Sequence, residues 1–144
     1  MLQYKISAST EKELRDFVVN NYNAFSPDFS EMSERTNYCQ KLFEKATHFE
    51  MWDEGKLIGL LCSYFDEKIG RAYIPYVCIA AQCKGKGIGT VLYQHFTKNI
   101  KDRIHYVDLE VRITNISAYN FYAKLGFVEI SRNAEKIQLR HVLK

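Results

Sequence analysis

A chain of 144 residues, 47% hydrophobic and 26% charged, is long enough to bury a sizeable core and short enough to form one domain, 1–144. Its formal charge of +3 comes from lysines and arginines scattered along the sequence, which argues against a nucleic-acid-binding protein. The four cysteines, Cys39, Cys62, Cys78 and Cys83, lack metal-ligand spacing and the N-terminus lacks the apolar run of a signal peptide; the expectation is a reduced, cytoplasmic protein with no metal and no membrane attachment.

Residues 3–7 suit a short first strand. Thr10-Glu11-Lys12-Glu13 then has the form of a capping box, in which the threonine and the second glutamate each satisfy a backbone N–H of the other. It opens a helix reaching about residue 22, with Leu14, Phe17 and Val18 as its buried face. Pro27 and its turn-forming neighbours make 23–30 a loop, followed by a second helix over 33–46. Residues 48–52 and 57–65 read as strands joined by the hairpin signal Asp53-Glu54-Gly55-Lys56, and a turn over 66–70 leads into a strand over 73–79. This is an antiparallel meander. Pro75 removes a ladder donor from its last strand, so it belongs at a bulge or where the ladder opens.

A third helix over 87–101 places Ile88, Val91, Leu92, Phe96 and Ile100 on one apolar face. A strand over 106–111 follows, then a short helix over 117–125 ended by Gly126, and closing strands over 127–130 and 137–142. Strands and helices mixed in this order define an α/β (α+β) chain.

The junction between the strand at 73–79 and the helix at 87–101 carries three glycines in five residues, Gly85, Gly87 and Gly89. Glycine lets a backbone approach a ligand closely, and the first turn of a helix leaves N–H groups without intrahelical partners. Lys84 and Lys86 add positive charge where the helix dipole already favours phosphate. A Walker loop is excluded, because no Gly-Lys-Ser/Thr run follows. A dinucleotide fingerprint would need glycine where Thr90 stands, although Asp108 and Glu110 fall about where its ribose-binding acid would be, and that reading stays open at this point.

Lys84-Gly85-Lys86-Gly87-Ile88-Gly89 resembles the acetyl-coenzyme A loop of the GNAT N-acetyltransferases, with lysine at a first position that the family fills with arginine or glutamine. Gln82, Gly85 and Gly87 fit the same pattern two residues earlier. Farther on, Leu109-Glu110-Val111-Arg112, Asn115, Ala118, Tyr122 and Gly126-Phe127 are similar, in type and spacing, to the second signature of that family. The resemblance implies a mixed, mostly antiparallel and strongly twisted sheet of six or seven strands flanked by about four helices. It also implies that the fourth and fifth strands splay apart. Acetyl-coenzyme A would then bind with its pantetheine against the backbone of Val77, Cys78 and Ile79 and its pyrophosphate on Lys84 to Thr90.

Acetyl transfer to an amine needs a neutral nucleophile, a place for the oxyanion and a proton for the departing thiolate. Tyr122 stands where the family's sulfur-protonating tyrosine lies, and a phenol can donate to a thiolate of similar basicity. Its alternative is a packing ring beside Phe121. Asn115 resembles the family's cofactor-binding asparagine, against the plainer reading of a helix cap. Glu110 is similar in place to the glutamate proposed as base in ribosomal-protein alanine N-acetyltransferases, and could instead only organise its strand. Cys78 invites a covalent acetyl-enzyme, but no histidine is near it in sequence and a buried strand residue is the simpler reading. The sequence thus points to an acetyltransferase working in a ternary complex on a small-molecule or peptide amine, as a monomer or homodimer. A coenzyme-sensing module and a transferase for another acyl donor are the alternatives.

Overall fold

The computed structural model describes residues 1–21 and 32–144, with side chains in the second helix from residue 37. The loop expected over 23–30 lies outside the described residues. The elements are β1 (Leu2–Ile6), α1 (Glu11–Asn20), α2 (Met32–Lys45), β2 (Thr47–Asp53), β3 (Lys56–Asp66), β4 (Arg71–Ile79), α3 (Ile88–Ile100), β5 (Tyr106–Arg112), α4 (Ile116–Leu125), β6 (Val128–Arg132) and β7 (Lys136–Val142). A 3-10 turn, Ala81–Cys83, which the sequence reading did not anticipate, follows β4. The seven strands form one mixed, mostly antiparallel sheet in the order β1-β2-β3-β4-β5-β7-β6. The chain divides into two compact units, Met1–Ser63 with Tyr76–Phe96, and Tyr64–Pro75 with Thr97–Lys144.

In the first unit the hairpin between β2 and β3 turns on Glu54 and Gly55, both with positive φ (49° and 76°), the geometry whose twist matches that of the flanking strands. Strand β2 is buried from His48 through Trp52 because both of its faces are covered. On one face the Phe49 ring meets the edge of Phe96 from α3 at 4.8 Å between centroids. On the other, the fully buried Glu50 carboxylate accepts from the Ala8 and Ser9 N–H groups, the Ser9 hydroxyl at 2.6 Å and the Trp52 indole at 3.0 Å. That many donors make an interior carboxylate tolerable. The capping box of Thr10 and Glu13 is present, and Leu14, Phe17 and Val18 are the buried residues of α1.

The face of α3 needs one correction. Val91 is 40% exposed, while Tyr93, not expected inside, is 4% exposed. At about 100° per residue, the buried stripe formed by Ile88, Leu92, Tyr93, Phe96 and Ile100 is centred roughly 130° away from Val91.

In the second unit β5 pairs antiparallel with β7 along its whole length, and β7 with β6 across a bulge at Ile130. Strand β4 pairs in parallel with β5 only from Arg71↔Tyr106 to Tyr73↔Asp108, and among the described residues that ladder stops before Pro75, which therefore disrupts none of it. Alternation does the rest. Val107, Leu109 and Val111 face inward with Ile137 and Leu139, whereas Tyr106, Glu110 and Arg112 share the opposite, partly exposed face with Lys136, Gln138 and Arg140. Gly70, at φ 71°, returns the chain into β4 beside the His105 ring, and a Cβ there would lie 2.1 Å from that ring.

Candidate active site

The glycine loop belongs to the first unit. Gly85 and Gly87 have φ of 81° and 77°, a region costly for other residues, and a Cβ added to either would meet nothing within 4 Å. The loop backbone therefore borders open space. Helix α3 makes its first intrahelical bond from the Val91 N–H to the Gly87 carbonyl at 3.1 Å, so the N–H groups of Ile88, Gly89 and Thr90 stand ahead of its ladder. Lys84 and Lys86 are exposed on either side of Gly85. Gly89 lies inside α3, so only Gly85 and Gly87 are required by backbone conformation. Backbone N–H groups at a helix start, with two exposed lysines just ahead of them in sequence, are a setting that favours an anion.

Strand β4 supplies the neighbouring stretch. Val77, Cys78 and Ile79 are half-buried between the buried Tyr76 and Ala80, and the Ala80 N–H is taken by the Ile58 carbonyl at 2.8 Å. The Cys78 thiol lies 3.6 Å from the Ile79 carbonyl. Burial pushes that thiol above its ordinary range and outweighs the opposing influence of Tyr76 and Lys84. A thiol so shifted is a poor nucleophile at neutral pH, which disfavours a covalent acetyl-cysteine. Gly59 on β3 is packed beside this stretch, since a Cβ there would come within 3.1 Å of the Ile79 side chain and 3.4 Å of Leu92.

The other expected site residues lie in the second unit. Asn115 caps α4, its Oδ1 accepting the Ala118 N–H at 3.1 Å, so the capping role is realised. Tyr122, on α4, is half-buried and packs edge-on against Phe121 and Phe127 at 5.2 and 5.4 Å between ring centroids. The turn that ends its helix uses Gly126 at φ 107°, with the Phe127 N–H donating to the Tyr122 carbonyl at 3.1 Å. Glu110 is on the exposed face of β5, its carboxylate 3.6 Å from the Lys136 ammonium.

Sequence reasoning missed the most charged feature of this unit. Asp108, 1% exposed, accepts from Arg71 Nε at 2.9 Å and from Arg140 Nε and Nη2 at 2.8 and 3.0 Å. Burial would raise this carboxyl, but the two guanidinium groups outweigh it and hold the group below the usual carboxylate range. Period-two alternation from Glu110 would have put Asp108 on the same face, but nothing local pairs it with residues 37 behind and 32 ahead.

Residues 14–127 match the profile of the Acetyltransferase (GNAT) family. An uncharacterized N-acetyltransferase of Methanocaldococcus jannaschii is 31% identical over 77 residues, covering 51% of this chain and 47% of that protein. The chain spans about half the length of the curated relatives it matches. The ribosomal-protein-S18-alanine N-acetyltransferase of Escherichia coli has the same fold, with a TM-score of 0.79 over 100% of this chain and 95% of that one at 19% identity. So does the PaiA N-acetyltransferase of Thermoplasma acidophilum in complex with coenzyme A, with a TM-score of 0.76 at 13% identity over 97% and 99% of the two chains. With the profile spanning both the glycine loop and the Asn115 to Phe127 segment, the chain belongs to the GNAT family of acetyltransferases.

Proposed function

We propose that this protein moves an acetyl group from acetyl-coenzyme A to a primary amine by direct attack in a ternary complex. The observation that carries the proposal is the glycine loop at the start of α3, with two positive-φ glycines bordering open space and backbone donors ahead of the helical ladder. In this reading Lys84, Gly85, Lys86, Gly87, Ile88, Gly89 and Thr90 hold the pyrophosphate. The backbone of Val77, Cys78 and Ile79 pairs with the pantetheine arm, and Asn115 donates its side-chain amide to the coenzyme.

The amine nitrogen bonds to the thioester carbon, the C–S bond breaks, and the proton lost by the amine leaves through Glu110 or a water beside it. Tyr122 donates a proton to the thiolate. The supports for these roles are position in the second signature and, for Tyr122, the packing that holds its ring between Phe121 and Phe127. We place the reaction in the cytoplasm. A screen of acceptor amines with acetyl-coenzyme A, following release of free thiol, tests the activity, and no turnover of any amine with the coenzyme bound would leave a sensing module. Glu110→Gln should lower kcat by roughly a hundredfold at pH 7 and recover partly at higher pH, where more of the acceptor is already neutral. Wild-type rates at every pH would remove Glu110 as the base.

A further inference from the structure

The exposed face of the second unit carries an excess of positive charge around Glu110. By strand register Arg71, Asp108, Glu110, Arg112, Lys136 and Arg140 share this face, four cations against two carboxylates among the described residues. Arg71 and Arg140 converge on Asp108. Arg71 uses only its Nε there, and its two terminal nitrogens make no hydrogen bond among the described residues. Arg140 uses Nε and Nη2. Both arginine side chains keep about a third of their exposure, 32% and 34%. Rings fix them from the side, Tyr73 under Arg71 at 5.1 Å and Tyr106 under Arg140 at 4.2 Å. The result is a rigid pair of planar donors with unused edges, the arrangement that recognises carboxylates.

We propose that Arg71 and Arg140 are specificity residues for an acceptor whose amine is accompanied by a carboxylate, as in a peptide N-terminus followed by Asp or Glu. The inference rests on the amine-acceptor reading above, with Glu110 beside the attacking nitrogen. Asp108 and Glu110 are two positions apart on one face of β5, so the guanidinium pair is displaced by roughly 7 Å along the strand from Glu110. That is about the span between a peptide amine and the side-chain carboxylate of the second residue. A polycation such as a polyamine, or a lysine-rich peptide, would meet like charge on the same face.

The test uses tetrapeptide amides with a free N-terminal alanine and Glu, Gln or Lys second, and a parallel set with a blocked N-terminus and one lysine beside Glu, Gln or Lys. In the wild type kcat/KM for the Glu peptide should exceed that for the Gln peptide by about tenfold or more, with the Lys peptide lowest. Raising the salt to about 1 M, where the Debye length is about 3 Å, should shrink the ratio. Arg71→Gln and Arg140→Gln should each bring the ratio to within about threefold of unity, with folding checked by thermal denaturation. A wild type that favours Gln or Lys, or an unchanged ratio in either folded variant, overturns the proposal. If no peptide is acetylated, the acetyltransfer reading fails for these acceptors, and the NMR signals of the arginine Nε–H groups still decide the inference. Shifts at Arg71 and Arg140 with the Glu peptide and not the Gln peptide uphold it, and no shift with the Glu peptide refutes it.

Discussion

Replacing Gly87 with alanine tests the proposed coenzyme site apart from stability. The residue sits at φ 77° with nothing within 4 Å of the missing Cβ, so the variant suffers backbone strain but no internal clash. That strain is worth about 1 to 2 kcal/mol. In the proposed coenzyme site the methyl group would occupy the space through which the loop meets a phosphate, displacing one charge-assisted hydrogen bond of about 1.5 to 3 kcal/mol. Coenzyme A affinity should therefore fall by roughly 10- to 150-fold in calorimetric titration. Gly55 is a matched control, at φ 76° in the β2–β3 turn and likewise with nothing within 4 Å of its missing Cβ. Gly55→Ala should lose about the same stability and keep wild-type affinity. Equal affinities in the two variants would refute the assignment of the glycine loop to the coenzyme, whatever their melting temperatures.

Three further outcomes are expected. Tyr122→Phe should lower kcat by about ten- to a thousandfold with little change in coenzyme affinity, since in the proposed mechanism the hydroxyl acts as the thiolate develops; loss of binding in calorimetry would instead make Tyr122 a packing residue. Because the Asp108 carboxyl is held below its ordinary range, its contribution to stability is complete above the unfolded pKa of about 3.9 and disappears as pH falls through the lower folded value. Asp108→Asn should cost about 3 kcal/mol at pH 7 in urea denaturation and flatten the acid limb of the stability curve, and an acid limb identical to wild type would count against the triad. Gly70→Ala combines positive φ with a 2.1 Å approach to the His105 ring and should cost about 2 to 4 kcal/mol, part of which His105→Ala restores in the double variant, as thermal unfolding would show. No restoration would mean that strain alone sets the cost.

Much of this chain is locally encoded. The capping box at Thr10, the Glu54-Gly55 turn, the Gly126 terminus of α4 and the glycine loop at 85–89 each depend on the φ preferences or side-chain reach of a few adjacent residues, so short stretches of sequence determined them. Pro75 marked in the same local way where a donor toward β5 is not needed, since the β4–β5 ladder among the described residues stops at Tyr73. The tertiary structure decided the rest. On α3, Val91, expected inside, is exposed while Tyr93 is buried, because both belong to apolar types and only the direction of packing tells them apart. Asp108 meets Arg71 and Arg140, and Glu50 meets Ser9, across 32 to 41 residues of chain, through strand register and burial that no single segment contains. A charge gains its meaning from the partners that the fold brings within about 3 Å, and those partners follow from the packing of the whole sheet.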